Sequence, residues 1–206
     1  MKKQIKIIIF TSFICVSLFS TLAVRAQISF GARAGANFAT EPVPNLYHVF
    51  LARPYFGIFT QYNLGSPFAL QLGLNYSGEG ANYKDLSSGD TFQIRHAFLT
   101  IPLFAQYKFS FGGYIEAGPQ FGFLLSARER TNNDAFVDSK AYYKGTDVSA
   151  GVGLGYEFKS KSLSGLGLSA RYVRGLTELN KVVVDGVSLK SRVLSIGLTY
   201  RLAAKK

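Results

Sequence analysis

The chain has 206 residues, of which 48% are hydrophobic, and this is the material of one domain. Its formal net charge is +11, but the lysines and arginines are scattered and lack the cluster or the aromatic motif of a nucleic-acid-binding domain. Length and charge therefore argue against a second domain and against a nucleic-acid partner.

The N-terminus has the three parts of an export signal. A basic start is followed by an apolar run from Ile7 to about Leu22, and small residues flank Arg25 at the positions that a signal peptidase reads. The basic start consists of Lys2, Lys3 and Lys6. We predict a signal peptide over 1–26, cleaved after Ala26, with a retained membrane anchor as the alternative.

The mature chain, 27–206, is predicted to be a single domain without cysteine. The only cysteine, Cys15, lies in the apolar run and would leave with the signal. No disulfide or thiol chemistry is then expected, and stability has to come from the backbone ladder.

Beyond the signal, apolar residues alternate with small or polar ones. The clearest case is 113–127, where six residues of one parity are apolar: Ile115, Ala117, Pro119, Phe121, Phe123 and Leu125. A period of two is typical of a β-strand whose faces meet different surroundings. The same split recurs seven more times, so we expect strands near 28–39, 55–64, 68–80, 96–109, 113–127, 147–158, 166–173 and 194–201.

The connections between these strands alternate in length. Long polar connections are predicted at 40–53, 81–95, 128–146 and 174–190, and a strand extended beyond the bilayer is the alternative for 128–146. Short turns are predicted at 65–67, 110–113 and 159–164. In outer-membrane barrels short turns face the periplasm and long loops face the exterior. We therefore expect both termini of the mature chain in the periplasm.

Two features favour an apolar face that points outward into lipid over a soluble, lipocalin-like barrel with an apolar interior. The polar face is rich in glycine, which suits a narrow lumen. Aromatic residues of the apolar face fall near the strand ends, like the two interfacial girdles of membrane barrels. The sequence predicts an all-β, eight-stranded antiparallel up-and-down transmembrane β-barrel in the cell outer membrane, preceded by a cleavable signal peptide.

Six charged side chains have the lumen parity. They are Arg33, Lys108, Glu116, Glu157, Arg171 and Arg201. Because isolated charges in a narrow lumen are costly, we expect Glu116 to pair with Arg33 or Arg171, and Glu157 to pair with Lys108 or Arg201. This set is interpreted as a structural network, with a narrow proton or ion path as the alternative.

Candidate catalytic residues are few. The two histidines are His48 and His96, and a rim site near His96 with Asp90 and Ser87 or Ser88 is the one enzymatic alternative. No spacing indicates a metal or a cofactor site. We expect no catalysis.

Partners are predicted from the surface. Outer-membrane lipid is one, and a protein partner at the outer loops is another, because the first loop is rich in apolar residues. These residues are Leu46, Tyr47, Val49, Phe50 and Leu51, and folding back over the barrel mouth is their alternative role. The sequence does not set an oligomeric state.

Several segments resemble a known family. The segments 31–39 (GARAGANFA), 99–109 (LTIPLFAQYKF), 116–127 (EAGPQFGFLLSA), 166–179 (LGLSARYVRGLTEL) and 192–202 (RVLSIGLTYRL) are similar to the PorT-like outer-membrane β-barrel family of Gram-negative bacteria. The resemblance covers essentially the whole mature chain. It implies an eight-stranded outer-membrane barrel, and the founding member is associated with type IX secretion and gliding. Most members have no assigned activity, so the fold alone does not carry that role over.

Together these observations predict a small, closed, non-enzymatic outer-membrane barrel with a structural, binding or secretion-accessory role. A narrow passive pore is the first alternative. An outer-leaflet enzyme with a rim site near His96 is the second.

Overall fold

The computed structural model describes residues 28–42, 47–86, 89–132, 134–181 and 189–202. The predicted signal peptide, its cleavage point and Cys15 lie outside these residues. No helix in the described part of the chain is long and apolar enough to cross a membrane.

The described residues form one antiparallel sheet that closes on itself. Its strands are β1 (Ile28–Thr40), β2 (Tyr47–Gly65), β3 (Phe68–Lys84), β4 (Thr91–Lys108), β5 (Gly113–Thr131), β6 (Val137–Asp138), β7 (Thr146–Glu157), β8 (Leu166–Gly175) and β9 (Arg192–Arg201). Short 3-10 turns occupy Lys140–Tyr142 and Lys161–Leu163. Eight long strands follow one another around the ring, β9 pairs with β1, and the two-residue β6 pairs only with β5. The predicted eight-stranded up-and-down barrel is confirmed.

The apolar face of the sheet points outward. On β5, Ile115 and Phe121 are 51% and 47% exposed, whereas the intervening Glu116 is 4% exposed. Strand alternation therefore separates a lipid-facing wall from a buried polar lumen, because neighbouring side chains of a strand lie on opposite faces.

Aromatic residues of the wall form two belts. The loop-end girdle, near the long connections, comprises Phe38, Phe56, Tyr76, Phe123 and Tyr172. The turn-end girdle, near the short turns, comprises Phe30, Tyr62, Phe68, Tyr107, Phe109, Tyr156, Phe158 and Tyr200. Rings contact one another within both belts, as in the stacked pair Phe56 and Tyr76 at 5.1 Å between centroids and the edge-to-face pair Phe68 and Tyr107 at 5.5 Å. We take the strand segments between the belts as the membrane-spanning part of the barrel.

The short turns occupy the predicted places. Gly65 has φ +107 between β2 and β3, and Gly112 has φ +106 between β4 and β5. A positive φ is readily adopted by glycine, which explains these residues at the two tight reversals.

Two of the predicted long loops are wrong. The segment 40–53 is strand from Tyr47 onward, and most of 81–95 belongs to β3 and β4, which pair from Lys84 and Thr91. For 128–146 the alternative of an extended strand is confirmed in part, because β5 continues to Thr131. These segments extend the sheet past the loop-end girdle, where Ala81, Tyr83 and Ala127 are still buried on the inner face. The outward face carries polar residues such as Arg95 and Arg128 there, so the alternation that marks a spanning strand in the sequence disappears.

Candidate functional site

The middle of the lumen is held by one acid and two arginines from three strands. Oε1 of Glu116 lies 2.7 Å from Nη2 of Arg171, and Gln106 donates to Oε2 of Glu116 at 2.8 Å. Arg33 does not pair with Glu116, because its guanidinium donates to the Gln71 side chain instead. Of the two partners expected for Glu116, the structure brings Arg171 to it.

Aromatic rings complete this central layer. The guanidinium of Arg171 lies 4.0 Å from the ring centroid of Phe104, and that of Arg33 lies 4.8 Å from the ring centroid of Phe59. Both rings are buried. Cation–π contact in a desolvated site stabilises a charge that a single carboxylate does not neutralise.

The turn end of the lumen is closed by a three-residue ion-pair cluster. Glu157 lies 2.7 Å from Nζ of Lys108 and 2.9 Å from Nη2 of Arg201. Glu157 therefore pairs with both of the partners that the sequence offered as alternatives, Lys108 and Arg201. These side chains are 21% to 32% exposed, so water competes with the pairs here more than at Glu116.

Above the central layer, a chain of hydrogen bonds crosses the lumen. Ser195 donates to Oδ1 of Asn37 at 2.6 Å, and Nδ2 of Asn37 donates to Oγ of Ser77 at 2.8 Å. Ser77 in turn donates to Glu79 at 2.8 Å. Strands β1, β3 and β9 are thus joined by side chains as well as by backbone pairing.

The loop end of the lumen is capped by a buried pair, His96 and Glu41, whereas the sequence offered Asp90 as the acid beside His96. Nδ1 of His96 lies 2.8 Å from Oε1 of Glu41, and both side chains are almost fully buried. The ring of Tyr143 packs edge-on against His96 at 4.4 Å, and its hydroxyl donates to Glu129 at 2.7 Å. The ring of Phe98 also packs edge-on against His96, and the rings of Phe98 and Tyr143 belong to an apolar cluster that includes Leu124, Ala127 and Leu179.

Two groups of this cap, beyond the loop-end girdle, titrate away from their ordinary values. Burial raises the pKa of Glu79 to about 7, and the hydrogen bond from Ser77 offsets only part of this effect. Burial by itself lowers the pKa of His96, but the charge and the hydrogen bond of Glu41 outweigh it, so the pKa of His96 lies above its usual range.

The residues of the enzymatic alternative are described only in part. His96 contacts Glu41, while Asp90 accepts a hydrogen bond from Asn132 at 3.1 Å. Ser87 and Ser88 lie outside the described residues. His48 is exposed near the start of β2.

The cavity in the middle of the lumen is small. The cavity lined by Arg33, Tyr55, Glu79, Arg171 and other lumen residues has a volume of about 20 Å³. This is room for roughly one water molecule. Within the described ranges no group of three or more His, Cys, Asp or Glu side chains is arranged to hold a metal ion.

A closed ring with an apolar wall and a filled polar lumen is the geometry of an outer-membrane barrel. A sequence profile described as outer membrane protein beta-barrel domain matches residues 20–181, well over half of the chain. The chain belongs to this family. The barrel accordingly resides in the outer membrane, with the wall between its two girdles in contact with lipid.

Solved structures of outer-membrane barrels are similar to this one at low sequence identity. Ail, the attachment invasion locus protein of Yersinia pestis, is 12% identical with a TM-score of 0.45, over 85% of this chain and 97% of Ail. CarO of Acinetobacter baumannii is 14% identical with a TM-score of 0.49, over 86% of this chain and 100% of CarO. OprG of Pseudomonas aeruginosa is 13% identical with a TM-score of 0.43, over 85% of this chain and 96% of OprG. The chain matches none of the curated proteins.

Several residues that fill the lumen of this outer-membrane barrel were not predicted from the sequence. Gln71 and Gln106 share the lumen parity of their strands, and that parity was the signal that could have found them. Glu41 and Tyr143 lie in connections, where no periodicity indicates which way a side chain points.

Proposed function

We propose that this protein is a closed, non-conducting outer-membrane barrel that presents an extended sheet to the exterior for a protein partner, without catalysis. The loop end is proposed to face outside, and the termini of the mature chain the periplasm. The observation that carries the proposal is the free rim of β2, described next.

The rim of β2 is an unpaired and apolar strand edge. Pairing of β1 with β2 ends at Ala39 and Leu51, so the segment from Tyr47 to Phe50 pairs only with β3 among the described residues. Tyr47, Val49 and Phe50 are 59%, 48% and 60% exposed. A strand edge with exposed apolar side chains is the surface to which a partner adds a strand.

The apolar residues predicted for a partner surface divide into two groups. Tyr47, Val49 and Phe50 are on the exposed rim, whereas Leu51 is buried at 8%. Leu46 lies outside the described residues. Exposure therefore supports the partner-surface role for Tyr47, Val49 and Phe50 but not for Leu51.

The closed lumen supports the non-conducting part of the proposal. Ion pairs lie at Glu116 and Glu157, and the cap around His96 fills the loop end. We expect no conductance above background when the purified barrel is reconstituted in planar bilayers. Discrete channels that change on Glu116→Gln would favour the narrow-pore alternative.

Site-specific crosslinking tests the partner surface. A photo-reactive residue in place of Phe50 is expected to give a crosslink to protein in intact cells, and a second change, Val49→Asp, is expected to abolish it. The matched control is the same probe in place of Leu198, which is 52% exposed on the lipid-facing wall and should crosslink lipid. Lipid crosslinks alone at both positions would refute a protein partner at this rim.

A secretion-accessory role is the finer proposal, and it rests on the PorT-like resemblance of the segments 99–109 and 116–127. If it holds, the protein crosslinked at Phe50 is a component of a secretion assembly, identified by mass spectrometry. A crosslinked partner outside any such assembly would leave the binding role and remove the secretion role.

A further inference from the structure

Arginines face each other in pairs on the outer wall, just beyond the loop-end girdle. Arg174 of β8 lies directly opposite Arg192 of β9, and Arg95 of β4 lies directly opposite Arg128 of β5. Like charges directly opposite on neighbouring strands destabilise a sheet. A pair of this kind calls for an anion between its two members.

The first pair lies at the height of lipid headgroups. Arg174 is two residues beyond Tyr172 on the same outward face, and Arg192 is two residues before Leu194. A rise of about 3.3 Å per residue and a strand tilt of about 40° place the pair about 5 Å above the girdle along the membrane normal. The headgroup layer of a bilayer leaflet is about 5–8 Å thick.

Neither member of the first pair has a carboxylate partner. Both side chains are exposed, and no Asp or Glu oxygen of the described residues lies within ion-pair distance of them. At the second pair the nearest acid in register is Asp138, opposite Arg128, and its carboxylate accepts the backbone N–H of Lys140 at 2.9 Å. Among the described residues, neither arginine pair therefore has a carboxylate within ion-pair distance.

The second pair belongs to a larger cationic cluster. The ring of Phe136 lies 4.0 Å from the guanidinium of Arg95 and 4.8 Å from that of Arg130. The Nε atoms of Arg130 and of Arg53 are buried without an acceptor. Burial and the positive charges of Arg53 and Arg130 lower the pKa of Arg95.

We propose that the first arginine pair, Arg174 with Arg192, binds a phosphate group of an outer-leaflet lipid headgroup. Guanidinium groups bind phosphate oxygens through paired N–H donors, and a phosphate between two of them removes the repulsion across the strands. The proposal rests on the orientation proposed above, with the loop end outward.

The position of the first pair favours a lipid over a soluble phosphate. Tyr172 and Leu194, directly below the arginines, are 43% and 38% exposed on the lipid-facing wall. Acyl chains can lie on these side chains while the phosphate of the same molecule reaches Arg174 and Arg192. A soluble anion would contact only the two arginines and not the side chains of Tyr172 and Leu194.

Native mass spectrometry of the mature barrel in detergent micelles tests the site. The probes are lipid A, dephosphorylated lipid A, phosphatidylcholine and inorganic phosphate. We expect retention of lipid A in preference to the two other lipids, and a roughly tenfold or greater loss of that retention in the variant R174Q/R192Q, since each cation near an anionic headgroup contributes about a fivefold factor.

Two variants serve as controls. K159Q/K161Q removes the same charge at the opposite end of the barrel and should retain lipid A like the wild type. R174K/R192K keeps both charges and should lose only about threefold, because lysine lacks the paired donors. Heat-modifiable mobility on gels confirms that each variant is folded.

Three outcomes would overturn the proposal. Unchanged lipid A retention in folded R174Q/R192Q would exclude these residues, and equal retention of dephosphorylated lipid A would exclude the phosphate. Displacement of lipid A by inorganic phosphate at about equal concentration would identify a soluble anion as the ligand. Protease cleavage of the long connections on intact cells reads the orientation separately, so a reversed barrel is distinguished from an inert arginine pair.

Discussion

Glu116 is the acid on which the central lumen depends. It neutralises Arg171 in a buried layer that also holds Arg33. We expect Glu116→Gln to lower the free energy of unfolding by about 3–5 kcal/mol, because the change leaves buried cations without a counter-charge. The measurement is urea unfolding of the barrel in lipid vesicles, followed by circular dichroism.

The matched change is Glu157→Gln at the turn end. Glu157 is 28% exposed, and water can replace the lost pairs with Lys108 and Arg201. The expected loss is about 1 kcal/mol. Equal losses for the two variants would show that burial does not set the strength of these pairs.

The cap at the loop end makes stability depend on pH. The pKa of Glu79 rises from 4.5 to about 7 on folding, so the folded state binds a proton that the unfolded state has released in this window. The stability that this group contributes is therefore present below about pH 4.5 and is lost as the pH rises through about 7. Unfolding measured from about pH 4.5 to about pH 8 should show this fall, and Glu79→Gln should flatten it.

His96 adds to the same trend at higher pH. Its pKa lies above the ordinary value of 6.5 because of Glu41, so the pair stabilises the fold below pH 6.5 and weakens as the pH rises through the raised pKa. Glu178→Gln, which changes an exposed acid near Lys144, is the control and should leave the pH profile unchanged. A profile that rises with pH would contradict both assignments.

At the scale of the strand, close approach of β4 and β5 requires glycine at one lumen position. A Cβ on Gly118 would overlap the carbonyl oxygen of Leu103 and lie 2.9 Å from Cα of Phe104. We expect Gly118→Ala to lower the free energy of unfolding by about 1–3 kcal/mol, because backbone atoms cannot move aside cheaply. Urea unfolding in vesicles measures the loss.

Gly122 on the same strand and the same face is the control. A Cβ there would meet the Phe98 ring at 3.4 Å, an ordinary contact. Gly122→Ala should stay within about 1 kcal/mol of the wild type. If both alanine variants behave alike, the proximity of β4 does not explain the glycine at 118.

For the whole molecule, the outward apolar face decides where the barrel is stable. Val152 lies midway along the outward face of β7 and is 59% exposed. Val152→Arg should cost about 2–4 kcal/mol in a bilayer, because the charge enters hydrocarbon at the midplane. The readout is unfolding in vesicles compared with detergent micelles, where the cost should shrink.

Tyr156→Arg on the same strand tests how the cost depends on depth in the membrane. Tyr156 belongs to the turn-end girdle, where an arginine reaches the headgroups and should cost about 0–1 kcal/mol. An equal cost at both positions would place Val152 outside the hydrocarbon.

Much of this protein follows from its sequence alone. A period of two over each spanning strand fixes which side chains face lipid and which face the lumen, and closure of eight strands leaves a lumen that side chains fill. The lumen charges were identified in this way, because parity along a strand is a local property that needs no knowledge of the neighbours.

The tertiary structure decided which side chains pair, because the parity of residues along one strand does not determine their partners on other strands. Whether Glu116 meets Arg33 or Arg171 depends on the stagger of strands far apart in sequence, and the partner of His96 comes from a connection without periodicity. The strand extensions past the loop-end girdle were hidden for a related reason. Their outward face lies beyond the lipid and carries polar side chains such as Arg95 and Arg128, so the apolar alternation is lost and only pairing with a neighbouring strand shows that they are sheet.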